Sequence, residues 1–351
     1  MKRVFLFLIL AQCMVSCSSD ASDATDSKSN EGKYYATGIQ YGKNKANNFV
    51  YMASIWMDGV PTNLSSTDFY STADAIALYD NDIYVVGTET AENNNVILKL
   101  WKNNVGANIT DGAYRVEATD IAVNQGNIYI AGNEYSGLLN SSIATIWKNG
   151  QAIRLTADVI SEVNAVYVYG NDIYAAGYKM INDKKTAITW KNGVETILYS
   201  EDDDLESIAT DIYADDNGIY VTGAVRSSDK STAILWKNTV ATPLSNPEVY
   251  TEAKALFVQN SDVYVCGYEI NTHNYQFTGK IWKNGNLIDE IANGRPASIC
   301  IKENKIYTGG TGLDDTGMDQ EGKIWESDLE TLDFTAKYNF TAYAVKAVLI
   351  K

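Results

Sequence analysis

The chain has 351 residues, 45% of them hydrophobic and 21% charged, a balance that supports a packed core and excludes a disordered polymer. Its formal charge of −16 repels phosphate backbones and argues against nucleic acid as a partner. A single histidine, His273, excludes histidine-rich zinc sites, while four prolines and twenty-four tyrosines favour an extracytoplasmic, β-rich protein.

In chain order, Met1-Lys2-Arg3 is a short positive segment and Val4 to Leu10 an apolar run far below the roughly 20 residues that span a bilayer. Residues 1–16 therefore read as a signal peptide. Met14-Val15-Ser16-Cys17 resembles a bacterial lipobox, with Met where Leu is usual, and the resemblance implies lipid on Cys17. A plain secretory peptide cleaved nearby is the alternative. Ser18 rather than Asp after the cysteine, by the same resemblance, implies an outer-membrane lipoprotein on the periplasmic or cell-surface side, with membrane contact through the lipid anchor only. Residues 17–33 are expected to form a flexible tether, since Ser18 to Lys33 hold no apolar side chain larger than Ala; without the leader the net charge is −18.

From residue 34 to 351 the sequence repeats. Tryptophans fall at 56, 101, 147, 190, 236, 282 and 325, spaced by 45, 46, 43, 46, 46 and 43 residues. A Tyr-x-x-Gly signal accompanies each, ending at Gly38, Gly87, Gly132, Gly177, Gly223, Gly267 and Gly310. Each unit predicts four short strands: a small-residue strand such as Ala73 to Leu78, the Tyr-x-x-Gly strand, the Trp strand, and a short outer strand after a turn. That turn is Asn149-Gly150, Asn192-Gly193 or Asn284-Gly285 in three copies, the pair whose positive φ suits a tight hairpin. The last small-residue strand, Val345 to Ile350, has no Tyr-x-x-Gly strand after it, and Tyr34 to Gly38 has no small-residue strand before it, so the two termini complete one unit.

Four antiparallel strands in about 45 residues resemble a β-propeller blade. The fold expected is all-β: a seven-bladed β-propeller over residues 34–351, its ring closed by pairing N- and C-terminal strands in one blade. The pattern also resembles repeat lipoproteins of Bacteroidetes that carry Trp-Lys-Asn-Gly hairpins. That resemblance is specific for architecture and silent on the ligand.

Loop lengths distinguish the two ends of the blades. Turns between strands one and two, and between three and four, are short and alike; the other two loop sets are longer and vary, which makes their shared face the presumptive binding face. Its aromatic candidates are Tyr70, Tyr114, Tyr135, Tyr178, Tyr199, Tyr250, Tyr268, Tyr275 and Phe277, side chains suited to sugar rings or peptides, with His273 as a contact residue. At the channel mouth, Asp74, Thr119, Asn164, Thr210, Lys254 and Lys346 occupy equivalent positions, with Ala297 the exception, and Asp120 and Asp211 follow one residue later in their copies. These polar groups are expected to solvate a pore, with a bound cation as the alternative.

Other features carry less chemistry than they suggest. The seven Trp occupy a repeated strand position and are expected to pack between blades. Gly279-Lys280-Ile281-Trp282 and Gly322-Lys323-Ile324-Trp325 are similar to the docking motif of quinoprotein propellers but one residue short and without its Asp partner, so no cofactor is expected. The acidic runs 201–204 and 314–319 do not fit a calcium loop, and no metal site is expected. Glu89, Glu134 and Glu269 share one position in the repeat and supply the carboxylates for an alternative glycoside hydrolase or lyase. Cys266 and Cys300 read as buried side chains in a compartment that permits a disulfide. The reading favoured is a non-enzymatic, monomeric propeller that binds a glycan or protein partner through its variable-loop face. A purely structural surface protein is the third possibility.

Overall fold

The computed structural model describes residues 33–66, 68–91, 94–136, 141–157, 159–198, 205–227, 230–313, 320–340 and 344–350, with the side chains of 136 and 338–350 left aside. The leader, Cys17, most of the tether, Tyr199, both acidic runs and the Lys346 side chain lie outside the described set.

The protein is all-β, built of antiparallel four-stranded sheets in a propeller-like ring. The strands are β1 (Tyr34–Lys43), β2 (Phe49–Met57) and β3 (Val60–Asn63), then β4 (Ala75–Tyr79), β5 (Asp82–Thr90), β6 (Val96–Lys102) and β7 (Val105–Asn108). Next come β8 (Arg115–Asn124), β9 (Asn127–Ser136), β10 (Ser141–Lys148) and β11 (Gln151–Arg154), followed by β12 (Ser161–Tyr169), β13 (Asp172–Ile181), β14 (Lys184–Lys191) and β15 (Val194–Ile197). The remainder are β16 (Glu206–Asp215), β17 (Gly218–Arg226), β18 (Ser231–Lys237), β19 (Val240–Pro243), β20 (Tyr250–Gln259), β21 (Asp262–Ile270), β22 (Phe277–Lys283), β23 (Asn286–Ala292), β24 (Gly294–Lys302), β25 (Lys305–Leu313), β26 (Gln320–Asp328), β27 (Thr335–Phe340) and β28 (Ala344–Ile350). Five sheets stand separately, and a single parallel bridge between Ser231 and Tyr250 joins β16–β19 to β20–β23 in an eight-stranded sheet. β28 pairs antiparallel with β1, so one sheet takes strands from both ends of the chain.

The core lies between neighbouring sheets. Tyr129, Ala131, Ala144 and Ile146 of one sheet pack against Val163, Val166, Ala175, Ile188 and Trp190 of the next. This arrangement covers both faces of the central strands, which is why they read as apolar runs rather than alternating patterns. All seven Trp are buried, at 5% exposure or less. Outer strands such as β3, β7 and β11 are four residues long and exposed throughout, which keeps the free edges short.

A bulge in the first strand explains the repeated glycine. The registers of β8, β12, β16, β20, β24 and β28 each shift by one residue, at Thr119, Asn164, Thr210, Lys254, Ala297 and Lys346. The extra residue swings the preceding backbone towards the second strand. A Cβ on Gly177 would stand 1.9 Å from the Glu162 carbonyl oxygen, and Gly87, Gly132, Gly223, Gly267 and Gly310 meet the same obstacle at 1.9–2.2 Å. The glycine of Tyr-x-x-Gly is thus steric, and the polar column expected at the channel mouth is the column of bulge residues.

The face of short turns is held by a clamp that accounts for Trp-Lys-Asn-Gly. Asn192, at φ 51°, accepts the Ile173 N–H at 2.9 Å and donates to Asp172 at 2.7 Å, while Lys191 pairs with Asp172 at 2.7 Å and lies over the Tyr174 ring. The same contacts recur at Lys102-Asn103 with Asp82 and Tyr84, and at Lys283-Asn284 with Asp262 and Tyr264.

Candidate functional site

The variable loops gather at the opposite end. Tyr70 and Tyr114 are half exposed, and Tyr275 is 75% exposed on the β21–β22 loop beside the exposed His273. Tyr275 holds φ 58°, a left-handed conformation that bulky residues rarely adopt, and its N–H is bonded to the Asn271 carbonyl. Tyr135, Tyr250 and Phe277 are partly buried. Tyr178 and Tyr268, expected on the surface, are buried at 5% and 6%, because each stands on the second strand one residue after the steric glycine and is covered by neighbouring sheets.

An exposed aromatic strip that the repeat pattern did not single out extends from Tyr70. Tyr41 and Tyr51 are cross-strand partners with ring centroids 5.2 Å apart; Tyr51 and Tyr70 follow at 5.8 Å, and Tyr70 donates its hydroxyl to the Phe49 carbonyl. The exposures of Tyr41, Phe49, Tyr51 and Tyr70 run from 37% to 66%.

A second constellation spans the eight-stranded sheet and the sheet after it, at the starts of β20 and β24 and the end of β17. Glu252 accepts from Arg226 at 2.6 Å, Tyr268 at 2.9 Å, Tyr250 at 3.2 Å and Lys254 at 3.2 Å. Burial disfavours its charge, but Lys254, Arg226 and the Tyr268 hydroxyl outweigh burial and hold the carboxyl below its ordinary value. Burial, reinforced by Glu252, pushes the Tyr268 hydroxyl up to about 12. Arg295 lies across Tyr268 and Phe277, 4.8 and 4.3 Å from their ring centres.

The other side of the mouth is acidic. Glu117 accepts from Tyr135 at 2.6 Å and from Arg115 at 2.9 Å, and Arg115 also lies over the Tyr135 ring. Burial foremost, with Glu162, Glu206 and Glu117 adding repulsion, raises the Tyr178 hydroxyl.

Five of the channel-mouth residues bond to the backbone of the next first strand. Thr119 and Thr210 donate to the carbonyls of Val163 and Ala253 at 3.0 Å, and Asn164 donates to Ala209 at 2.7 Å. Asp120 accepts the N–H groups of Ile121 and Val166, and Asp211 those of Ile212 and Leu256, all at 2.8 Å. Asp74 accepts from Thr72, Lys254 turns to Glu252, and Lys346 stands at the β28 bulge.

The three repeated glutamates are each committed to a cation: Glu89 to Lys99 at 2.5 Å, Glu134 to Arg154 at 2.8 Å and Glu269 to Lys280 at 3.2 Å. Cys266 and Cys300 are buried in separate apolar clusters and are not joined in a disulfide.

No family model matches the chain, and no curated protein matches it. Among solved structures it is similar to an acylaminoacyl peptidase of Pyrococcus horikoshii, with TM-score 0.55 and 11% identity over 89% of this chain and 52% of that one. It is similar also to an acylaminoacyl peptidase in complex with Z-Gly-Gly-Phe-chloromethyl ketone, with TM-score 0.51 and 12% identity over 86% and 53%. The likeness is one of fold. The chain spans about half the length of these peptidases. A putative TolB from Agrobacterium tumefaciens aligns over 90% of this chain and 99% of its own at TM-score 0.46 and 8% identity.

Proposed function

We propose that the protein is a lipid-anchored, extracytoplasmic, seven-bladed β-propeller that captures a glycan on its variable-loop face without turning it over. Counting the eight-stranded sheet as two blades gives seven, and two features favour a closed ring: the β1–β28 pairing, and the packing of Tyr34, Ala36 and Trp56 against Cys300, Tyr307 and Ile324. The leader and Cys17 would place it on the outer membrane as a monomer held by its lipid.

The observation that carries the ligand class is the strip of Tyr41, Phe49, Tyr51 and Tyr70. Soluble domains seldom leave four neighbouring aromatics exposed, and flat rings with polar tips suit the apolar faces of sugar rings. The non-catalytic part of the reading is supported by the Glu89, Glu134 and Glu269 ion pairs, which leave no repeated carboxylate poised as an acid/base pair.

The test is binding of the full-length chain to a broad glycan array beside Tyr51→Ala and Tyr275→Ala. Saturable binding weakened in Tyr51→Ala, with an unchanged melting temperature, is the expected result. A blank array would reject the glycan and shift the search to a protein partner; depolymerisation of a bound polysaccharide would instead favour the hydrolase or lyase alternative.

A further inference from the structure

We infer that Arg226, Lys254 and Arg295 form a subsite for a carboxylate carried by an acidic sugar, an inference that rests on the glycan reading and narrows it. Of the five arginines in the sequence, one lies in the leader and the other four, Arg115, Arg154, Arg226 and Arg295, all stand at the variable-loop ends of strands. On the opposite face, the cations after the tryptophans are all lysines, each used on a clamp tyrosine. Arginine is therefore confined to the face where ligands are expected, and its planar fork is the side chain that grips a carboxylate through two parallel hydrogen bonds.

Within that set the Glu252 cluster is out of balance. Arg226 and Lys254 pair with Glu252, and Arg295 lies over Tyr268, which donates to Glu252; with Glu206 opposite Arg226 in register, the group keeps an excess of one positive charge on a chain of net charge −16. Glu248 and Glu269 do not cancel it, because Glu248 is paired with Lys230 at 2.6 Å and Glu269 with Lys280 at 3.2 Å. Arg115 and Arg154 have carboxylate partners in Glu117 and Glu134, whereas Arg295 has none among the described residues. Its guanidinium carbon sits 4.8 Å from the Tyr268 ring centre and 4.3 Å from that of Phe277, with one nitrogen 3.5 Å from the Tyr268 hydroxyl. A cation pre-oriented on aromatic faces loses little freedom when it takes up an anion. Glu252 keeps Arg226 and Lys254 in place, and the positive charge left over outweighs its repulsion of a second carboxylate.

The experiment measures binding of the full-length chain to galacturonan, glucuronan and alginate oligomers, and to the same oligomers with carboxyl groups reduced to alcohols. At least one acidic oligomer should bind about tenfold or more tightly than its reduced form, with affinity falling as salt rises. Arg295→Gln and Lys254→Met should each erase that preference while leaving the weaker binding of the reduced form intact. Arg295→Lys should restore it only in part, because the charge returns without the fork.

Equal binding of acidic and reduced forms would overturn the inference and leave the glycan reading standing. Preference for a sulfated glycan without uronates would overturn the carboxylate assignment. Failure of every glycan, acidic or neutral, would reject both the inference and the reading beneath it.

Discussion

Replacing Asp120 by Asn tests whether the belt of first strands stores a buried titration. The carboxylates of Asp120 and Asp211 are enclosed between adjacent first strands. Burial raises both above the ordinary 3.8: Asp120, with Asp211 adding repulsion, to about 7, and Asp211 to about 6, while their N–H donors pull the other way. A raised folded value means that the folded chain holds the proton more tightly than the unfolded one. The stabilising contribution is complete below about pH 3.8 and lost as pH rises through about 6 to 7. Between about pH 5 and about pH 8, linkage gives a loss of up to about 2.5 kcal/mol at Asp120 and about 1.5 kcal/mol at Asp211. These are upper values, because both residues are only partly buried. Asn at position 120 removes the titration and keeps one of two acceptors, adding a cost of about 1–3 kcal/mol that does not vary with pH. Urea unfolding of the full-length chain, followed by fluorescence of the seven buried Trp, should show wild type losing its advantage over Asp120→Asn as pH rises, by about 2 kcal/mol. A constant difference across this range, or one that widens with pH, would mean that the two N–H donors keep Asp120 ionised throughout and that burial does not govern it.

Three further outcomes follow from the repeated geometry. Gly177→Ala should cost more than about 2 kcal/mol, because its Cβ meets the Glu162 carbonyl at 1.9 Å; Gly150→Ala, in open space at φ 84°, should cost only about 1 kcal/mol, and equal losses in thermal unfolding would refute the steric role of the bulge. Asn192→Ala loses the bonds to Ile173 and Asp172 and the residue type suited to φ 51°, for about 1–2 kcal/mol in denaturant titration; a neutral change would show that the clamp adds no stability. Burial pushes the Cys266 thiol up and encloses Cys300, so a thiol reagent should label neither before unfolding, as read by peptide mass mapping; labelling of either in the folded chain would contradict that packing.

The repeat was legible because one physical demand recurs in every unit. Trp must fill the gap between sheets, Gly must pass the bulge, and Asn must take positive φ in the hairpin, so each writes the same letter at the same interval. The polar column at the first strand was visible for the same reason, but its use was not. Sequence places Asn164 in the bulge column and Asp120 and Asp211 one residue later in theirs, without revealing that the next sheet presents backbone N–H and C=O groups to them at 2.7–2.8 Å. Exposure was harder still: Tyr178 and Tyr275 belong to the same type and the same face, yet one is fixed on a strand beneath its neighbours and the other stands at a loop tip.

The division of cations between the two faces had a signal in the sequence that the repeat obscured. Lysine after Trp appears in five units and reads as part of the motif, and the structure uses it there, bound to tyrosine rings and in three units to an aspartate as well. Arginine never occupies that position. It occurs at 115, 154, 226 and 295, outside every repeated motif, where a structural requirement would have repeated and these residues do not. A clamp needs only a point charge on a flexible stem, which lysine provides in every unit that uses it. A grip on a planar anion needs the fork, and selection for one ligand rather than for one fold falls on single blades. Scarcity and asymmetry, rather than repetition, therefore mark the residues of a repeat protein that answer to something outside it.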